Sequence, residues 1–335
     1  MNIIIPMAGM GKRMRPHTLK TPKPLLPIAG KPIAHRLVES LAESTAERID
    51  EIAFVIGRFG KEIEESLLSI AQKVGAQGKI YYQDEPLGTA HAVHCARESM
   101  NGPIIIAFAD TLFKADFKLD TEQDGIIWVK QIEDPSAFGV VLLDKDGYIK
   151  SYHEKSKAFI SDLAMIGIYY FKDGPRLKNE IEWLLQNDQI KSGEYQLPDA
   201  FERMTNSGYQ FKTGKVDEWL DFGNKDVTVS SHARILTFES EKNINLISDQ
   251  ATFENSTLIH PVYIEDRVQI KNSVVGPFVS ISENTRIENS VIRNSIIYGN
   301  SQLNRLVLNN SMIGNFVNIA DKPQELSIGD YSKNN

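Results

Sequence analysis

Hydrophobic residues follow two different rhythms along this chain, and the change falls near residue 243. Before it, short apolar runs alternate with segments whose apolar residues recur every three or four positions. Residues 2–6 form a β-branched run. Ile33, Leu37, Val38 and Leu41 then share one face of a helix predicted over 32–42. The rhythm continues through a strand at 52–56, a helix at 62–74, a strand at 79–83, a helix at 89–100 and a strand at 104–109. Strands that are apolar throughout, separated by helices, predict a mostly parallel sheet covered on both faces. After Gly125 the pattern is mixed, with strands at 126–129, 139–143 and 165–171 and helices at 176–186 and 197–206. The expectation is one Rossmann-like α/β domain over 1–226, followed by a linker helix over 227–242.

From 243 to 321 helical spacing disappears. Apolar positions such as Ile264, Ile270, Val275, Ile281, Ile287, Ile292, Ile297, Leu303, Leu308, Ile313 and Ile319 recur every five or six residues, separated by Asn, Ser and Gly. Segments 270–281, 287–297 and 308–319 repeat one another. This hexapeptide texture predicts a left-handed parallel β-helix, each short strand facing a common core. A β-sandwich would need alternation over longer runs. Residues 322–335 are read as a tail.

Composition narrows the function classes. The 335 residues are 41% hydrophobic and 24% charged, with a net charge of −7. That acidic balance disfavours a nucleic-acid partner. One cysteine, Cys95, excludes a disulfide framework and a Cys-rich zinc site. The apolar run at the amino terminus is too short for a signal peptide or a membrane span, so a cytoplasmic protein with no membrane partner is expected.

Candidate chemistry begins where the first strand ends. Gly9 and Gly11 sit at the edge where open α/β sheets bind ligands, and Lys12, Arg13 and Arg15 add positive charge. Glycine lets peptide N–H groups approach phosphate oxygens. The loop matches neither the dinucleotide fingerprint nor the P-loop: no third glycine follows at the right spacing, and Arg13 stands where Ser or Thr belongs. Next come Thr21-Pro22-Lys23-Pro24-Leu25-Leu26-Pro27 and Gly30-Lys31-Pro32, a lysine in a proline-stiffened loop.

Together these elements resemble the signature of the sugar-1-phosphate nucleotidyltransferase family. The likeness extends through the segment from Gln83 to Ala90, Asp110, Phe138-Gly139-Val140, Glu154-Lys155, Gly167-Ile168-Tyr169 and the segment from Trp219 to Gly223. The resemblance implies a nucleoside triphosphate and a sugar 1-phosphate as partners and Mg²⁺ as cofactor. It implies that Arg13 binds the triphosphate and stabilises departing pyrophosphate, while Lys23 holds the phosphates for attack. Asp110 and Asp221 would bind the metal. Ala8, Gly9, Gly11, Lys12, Gln83, Gly88 and Thr89 would surround the nucleotide. Gly139, Glu154, Lys155 and Gly167 would face the sugar phosphate, with Lys155 contacting its phosphate.

The sequence departs from the thymidylyltransferase pattern at Ala8, which replaces a glycine, and at Lys12, which replaces a threonine. Gln83 points to a pyrimidine, because a carboxamide can donate to and accept from the imide edge of thymine or uracil. dTTP or UTP with glucose 1-phosphate is the expected pair, and mannose-1-phosphate guanylyl transfer the alternative. A non-catalytic regulatory subunit is the further alternative, and such a subunit would be expected to lack the aspartates or the lysine retained here. His91 and His94, three apart on a helix, have no third ligand nearby and are read as helix surface. His260 beside Pro261 is read as structural rather than as an acyl-transfer base. The β-helix is expected to mediate a homo-oligomer.

Overall fold

The structure, a computed structural model, describes residues 1–115, 118–155, 159–191, 193–242 and 244–322. Apart from Lys322, the tail expected over 322–335 lies outside the described residues. The chain divides into two compact units, one of residues 1–26 with 31–223, the other of residues 27–30 with 224 onward.

Along the chain run β1 (Asn2–Pro6), the short β2 (Pro27–Ile28) and β3 (Lys31–Pro32), α1 (Ile33–Ser44), β4 (Glu51–Ile56) and α2 (Lys61–Lys73). Then come β5 (Gln77–Tyr82), α3 (Thr89–Cys95), β6 (Ile104–Ala107), β7 (Thr111–Lys114), β8 (Gly125–Gln131), β9 (Gly139–Leu143) and β10 (Ile149–Glu154). The first unit closes with β11 (Leu163–Phe171), α4 (Gly174–Gln186), α5 (Leu197–Asn206), β12 (Phe211–Lys215) and β13 (Glu218–Asp221).

Among the described residues, nine strands form its main sheet, in the order β10-β9-β11-β6-β1-β4-β5, with β8 on β11 and β12 on β8. Central β1 pairs in parallel with both β4 and β6. β11 runs antiparallel to β6, β8 and β9, so the sheet is mixed, as the change of rhythm after Gly125 predicts. Ile3, Ile4 and Ile5 have no exposed surface, which is why β1 reads as unbroken apolar sequence. On one side of the sheet Phe201 of α5 packs its ring against Tyr152, Tyr169 and Phe171, with centroids 5.8, 5.0 and 4.8 Å away.

Two boundaries differ from the sequence expectation. The helix expected over 89–100 stops at Cys95 and continues as a 3₁₀ turn over Arg97–Ser99. The strand expected over 104–109 stops at Ala107, because the Phe108 N–H turns to the carbonyl of Gly167 at 2.9 Å. Gly167 has φ +82° and lies where the pairing of β11 shifts register. Asp110 is thereby carried into the turn between β6 and β7, and β7 pairs with β13 in a separate antiparallel ribbon.

The second unit contains α6 (Lys225–Glu241), whose N-terminus is capped by Asn224: its side-chain oxygen accepts from the N–H groups of Asp226 and Val227. Short parallel strands follow in two sheets, as in a parallel β-helix. In register, Gln269, Arg286, Gln302 and Asn318 lie side by side. Inside, Ile270, Ile287 and Leu303 stack with at most 1% exposure, while Ile319 in the last described coil is 43% exposed. At one corner Asn255, Asn272 and Asn289 all have positive φ, and their side chains form a ladder that continues to Asn304. Asparagine suits such corners because it tolerates left-handed backbone and can bond its neighbours above and below. α6 packs on these coils through buried His232, whose Nε2 lies 2.5 Å from the Ser280 hydroxyl. Gly30 also belongs to this unit; any Cβ there would meet Tyr263 Oη at 2.0 Å. No helix among the described residues is long and apolar enough to cross a membrane.

Truncating Phe201 to Ala should cost about 3–5 kcal/mol by leaving a hole among three aromatic rings. A urea titration followed by fluorescence checks this; a loss below about 1 kcal/mol would contradict the packing described.

Candidate active site

Parallel neighbours end on the same edge of a sheet, so the loops after β1, β4, β5 and β6 meet. There they line a cleft of about 700 Å³. The first loop contributes Ala8, Gly9, Gly11 and Lys23; Gly57 and Arg58 follow β4; Gln83 and Asp84 follow β5; and Phe108, Ala109 and Asp110 follow β6. Gly88, Thr89 and Glu194 complete the wall.

Lys23 opens a 3₁₀ turn, Lys23–Leu25, preceded by Pro22 and containing Pro24. The residue is only 8% exposed, and its Nζ lies 2.7 Å from Asp110 Oδ2. A buried ammonium needs such a partner, since desolvation otherwise opposes its charge. Gly11, at φ +75°, lies against the lysine stem, where an added Cβ would stand 2.7 Å from Lys23 Cβ. The Gly11 carbonyl also accepts from the Thr18 hydroxyl at 2.8 Å. Asp221 stands opposite Thr111 in the β7–β13 ribbon, and Phe222 N–H donates to the Asp110 carbonyl at 3.2 Å. Burial and the nearby Asp110 carboxylate raise the Asp221 pKa above its ordinary value, while Lys23 and Arg13 act in the opposite direction. Asp110 and Lys23 thus line the cleft, and Asp221 feels the charges of both and of Arg13.

The remaining predicted residues divide by position. Lys12 and Arg13 are exposed in the 3₁₀ turn Lys12–Met14, outside the cleft lining, although the Arg13 charge reaches Asp221. Gly139 pairs with Glu154 in register, and an added Cβ at Gly139 would meet Glu154 Oε2 at 2.7 Å. Lys155, at φ +41°, points outward with its side chain 68% exposed and its Nζ 3.5 Å from Glu154 Oε1. Both Glu154 and Asp110 act on the buried Tyr169 phenol, whose pKa is raised first by burial and then by these charges. Gly167 packs against Phe108 of the cleft wall.

In the wall beyond β5, Gly88 has φ +112°, and a Cβ there would meet the Tyr195 carbonyl at 2.5 Å. The Thr89 hydroxyl accepts from Leu197 N–H at 3.0 Å, so it ties the start of α5 to the start of α3. Gln83 does not keep a free donor. Its Nε2 donates to the Gly88 carbonyl and lies against His91 Nδ1, both at 3.1 Å. Gln83 is expected to donate and accept at once toward a base; here its amide nitrogen is engaged by protein groups, and His91, expected on the helix surface, is half-buried against it.

Arg58 and Asp84 line the cleft without having been singled out in the sequence. They form a forked ion pair at 2.8 and 2.9 Å, and the guanidinium lies 3.9 Å from the Tyr82 ring centroid. Arg58 holds the Asp84 carboxyl below its ordinary pKa. The signal for Arg58 was available, because it follows a parallel strand just as the glycine loop does.

Replacing Gly11 with Ala should destabilise the protein by about 1–3 kcal/mol, through positive φ and crowding of Lys23. Thermal unfolding measures it; an unchanged midpoint would show that the loop yields without strain.

Residues 2–237 match the nucleotidyl transferase family. The chain is similar to the low-salt glycan biosynthesis nucleotidyltransferase Agl11 of Haloferax volcanii, at 29% identity over 96% of this chain and 94% of that one. It is also similar to a glucose-1-phosphate thymidylyltransferase of Streptomyces antibioticus, at 27% identity over 99% of each chain. Among solved structures, UDP-glucose pyrophosphorylase complexed with UDP-glucose shares the fold, with a TM-score of 0.59 and 23% identity over 71% of this chain and 98% of that one. With the family match spanning the cleft-bearing unit, this chain belongs to the nucleotidyl transferase family, in the group of sugar-1-phosphate nucleotidyltransferases.

Proposed function

We propose that this protein transfers a nucleotidyl group from dTTP or UTP to glucose 1-phosphate and releases pyrophosphate. The observation that carries this reading is the Lys23–Asp110 pair, a buried cation and a carboxylate 2.7 Å apart, where the glycine loop enters the cleft. The attacking oxygen belongs to a phosphate that is already anionic, so no strong base is required. The work is positioning and charge neutralisation at the α-phosphorus.

Lys23 neutralises the phosphates between which the new bond forms. Its ammonium is a point charge held on a buried stem, so it can exchange Asp110 for a phosphate oxygen with little movement of the backbone. The backbone at Ala8, Gly9 and Gly11 surrounds the triphosphate, with Lys12 adjoining. Arg13, on its exposed turn, meets the departing pyrophosphate with a fork of donors. Gly139 and Gly167 adjoin the sugar, Glu154 accepts from its hydroxyls, and Lys155 binds its phosphate. Gln83, Gly88 and Thr89 hold the base side.

Mg²⁺ suits the donor set formed by Asp110 and Asp221. Both supply hard oxygen ligands, and Asp221, whose pKa is raised first by burial and then by the Asp110 charge, would be held ionised by a divalent cation. When bound, the ion would draw charge from the phosphoryl oxygens.

Pyrophosphate release should appear with Mg²⁺, glucose 1-phosphate and either dTTP or UTP, in parallel assays that also offer GTP, ATP and CTP. Lys23→Ala and Asp110→Asn should each lower turnover by about 10²–10³-fold while remaining folded. Turnover of GTP with mannose 1-phosphate alone would move the assignment to guanylyl transfer. Failure with every pair of substrates would overturn catalysis.

A further inference from the structure

Behind the cleft wall, α3 carries a histidine that the nucleotide-binding reading does not use. We infer that His91 is a positioning residue for base recognition, fixing the Gln83 carboxamide so that its oxygen faces the cleft and accepts an N–H from the base. This rests on the proposed nucleotidyl transfer, which it deepens by stating what the base edge must carry.

The argument begins with a carbonyl. Gly88 O can only accept, and it lies 3.1 Å from the Gln83 terminal amide, so the nitrogen of that amide must face it. The same nitrogen lies 3.1 Å from His91 Nδ1. An amide nitrogen has two hydrogens, and these two acceptors take both. Among the described residues no hydrogen bond reaches Gln83 Oε1, and Gln83 lines the cleft. An acceptor is therefore what remains to meet a ligand.

The surrounding scaffold holds this arrangement. The Gln83 main-chain N–H donates to the Ile56 carbonyl at 2.9 Å. Gly88 is held by its neighbours: Tyr195 N–H donates to the Leu87 carbonyl at 2.8 Å, and Ala90 N–H donates to the Tyr195 carbonyl at 3.0 Å. The His91 ring also hydrogen-bonds the Glu85 main chain. Acceptance from the Gln83 amide requires a bare Nδ1, which places the neutral ring's proton on Nε2. Burial lowers the His91 pKa, which favours the neutral ring. The titratable groups around it are Glu85 on the preceding loop and His94 one turn along α3, with Asp84 and Glu194 on the adjoining cleft wall.

An acceptor at this place selects by chemistry. Uracil and thymine carry N3–H and guanine carries N1–H at the centre of the pairing edge. Cytosine and adenine carry a lone pair there and would meet the Gln83 oxygen unfavourably. A site built around one hydrogen bond rejects the analogue lacking it far more strongly than a shape difference would.

The test uses the full-length protein and its preferred nucleotide. His91→Ala should raise the nucleotide KM about tenfold with kcat within twofold of wild type, the size expected for losing one orienting hydrogen bond. His91→Asn, whose Oδ1 can stand in for Nδ1, should restore most of the loss. In wild type the nucleotide KM should rise as pH falls through a value below the ordinary imidazole range, and His91→Asn should lack that limb. N3-methyl-UTP should bind at least tenfold more weakly than UTP in calorimetry. If the nucleotide is GTP, the matching probe is N1-methyl-GTP. Equal KM for wild type and His91→Ala, undiminished binding of the methylated base, or a preference for CTP or ATP would each overturn the inference. If wild type turns over no nucleotide, the proposed activity fails, and calorimetry with UTP, GTP and their methylated forms still decides this inference; binding of none of them counts against it.

Discussion

Parallel pairing of β1 with β4 and β6 is the constraint on which the site depends. Parallel strands hydrogen-bonded side by side must end on one edge, and every connection leaving that edge is free of the sheet's own pairing demands. That freedom is where glycines, a proline-stiffened turn and charged side chains can gather. The strands themselves are occupied by packing: residues 3–5 have no exposed surface, and Ile52, Phe54 and Ile106 are equally buried. A rigid apolar platform thus carries a polar rim, and no residue has to serve both.

The rim is electrostatically tense. Lys23 is buried with Asp110 as its partner, and burial, followed by the charge of Asp110, opposes the ionisation of Asp221. Because its pKa is raised in the folded state, ionised Asp221 costs the fold. That cost is absent at low pH and appears as pH rises through the ordinary carboxylate range. A structure optimised only for stability would not collect these groups. On the proposed function, the anionic phosphates of the substrates would meet the cations, and the acids would hold a divalent ion. At Gln83 itself the bonding is between neutral donors and acceptors. There Gly88 and the residues around Tyr195 determine which atom of Gln83 is left to act.

Much of this was legible in the sequence because it depends on local periodicity. Buried strands read as apolar runs, and the coils of the second unit read as Ile270, Ile287 and Leu303 repeated at nearly constant spacing. Lys23 was legible because prolines on either side mark a stiff turn. Arg58 and Asp84 were not singled out, since a lone arginine after a strand looks like surface until its neighbours are known. The end of β6 was misjudged by two residues, because Phe108 and Ala109 continue the apolar pattern while the backbone has already turned toward Gly167.

Sequence alone determined the two architectures, the glycine loop and the residue types available for phosphate chemistry, since each follows from spacing along the chain. Tertiary structure decided the pairings. It set Lys23 on Asp110 across 87 positions, brought Asp221 beside them through the β7–β13 ribbon, and set the Gln83 amide nitrogen against the Gly88 carbonyl and the His91 ring. Such choices depend on distances between segments remote in sequence, and on which donor meets which acceptor there. Periodicity carries no record of either, because a side chain's type states what it can bond and its folded surroundings state what it does bond.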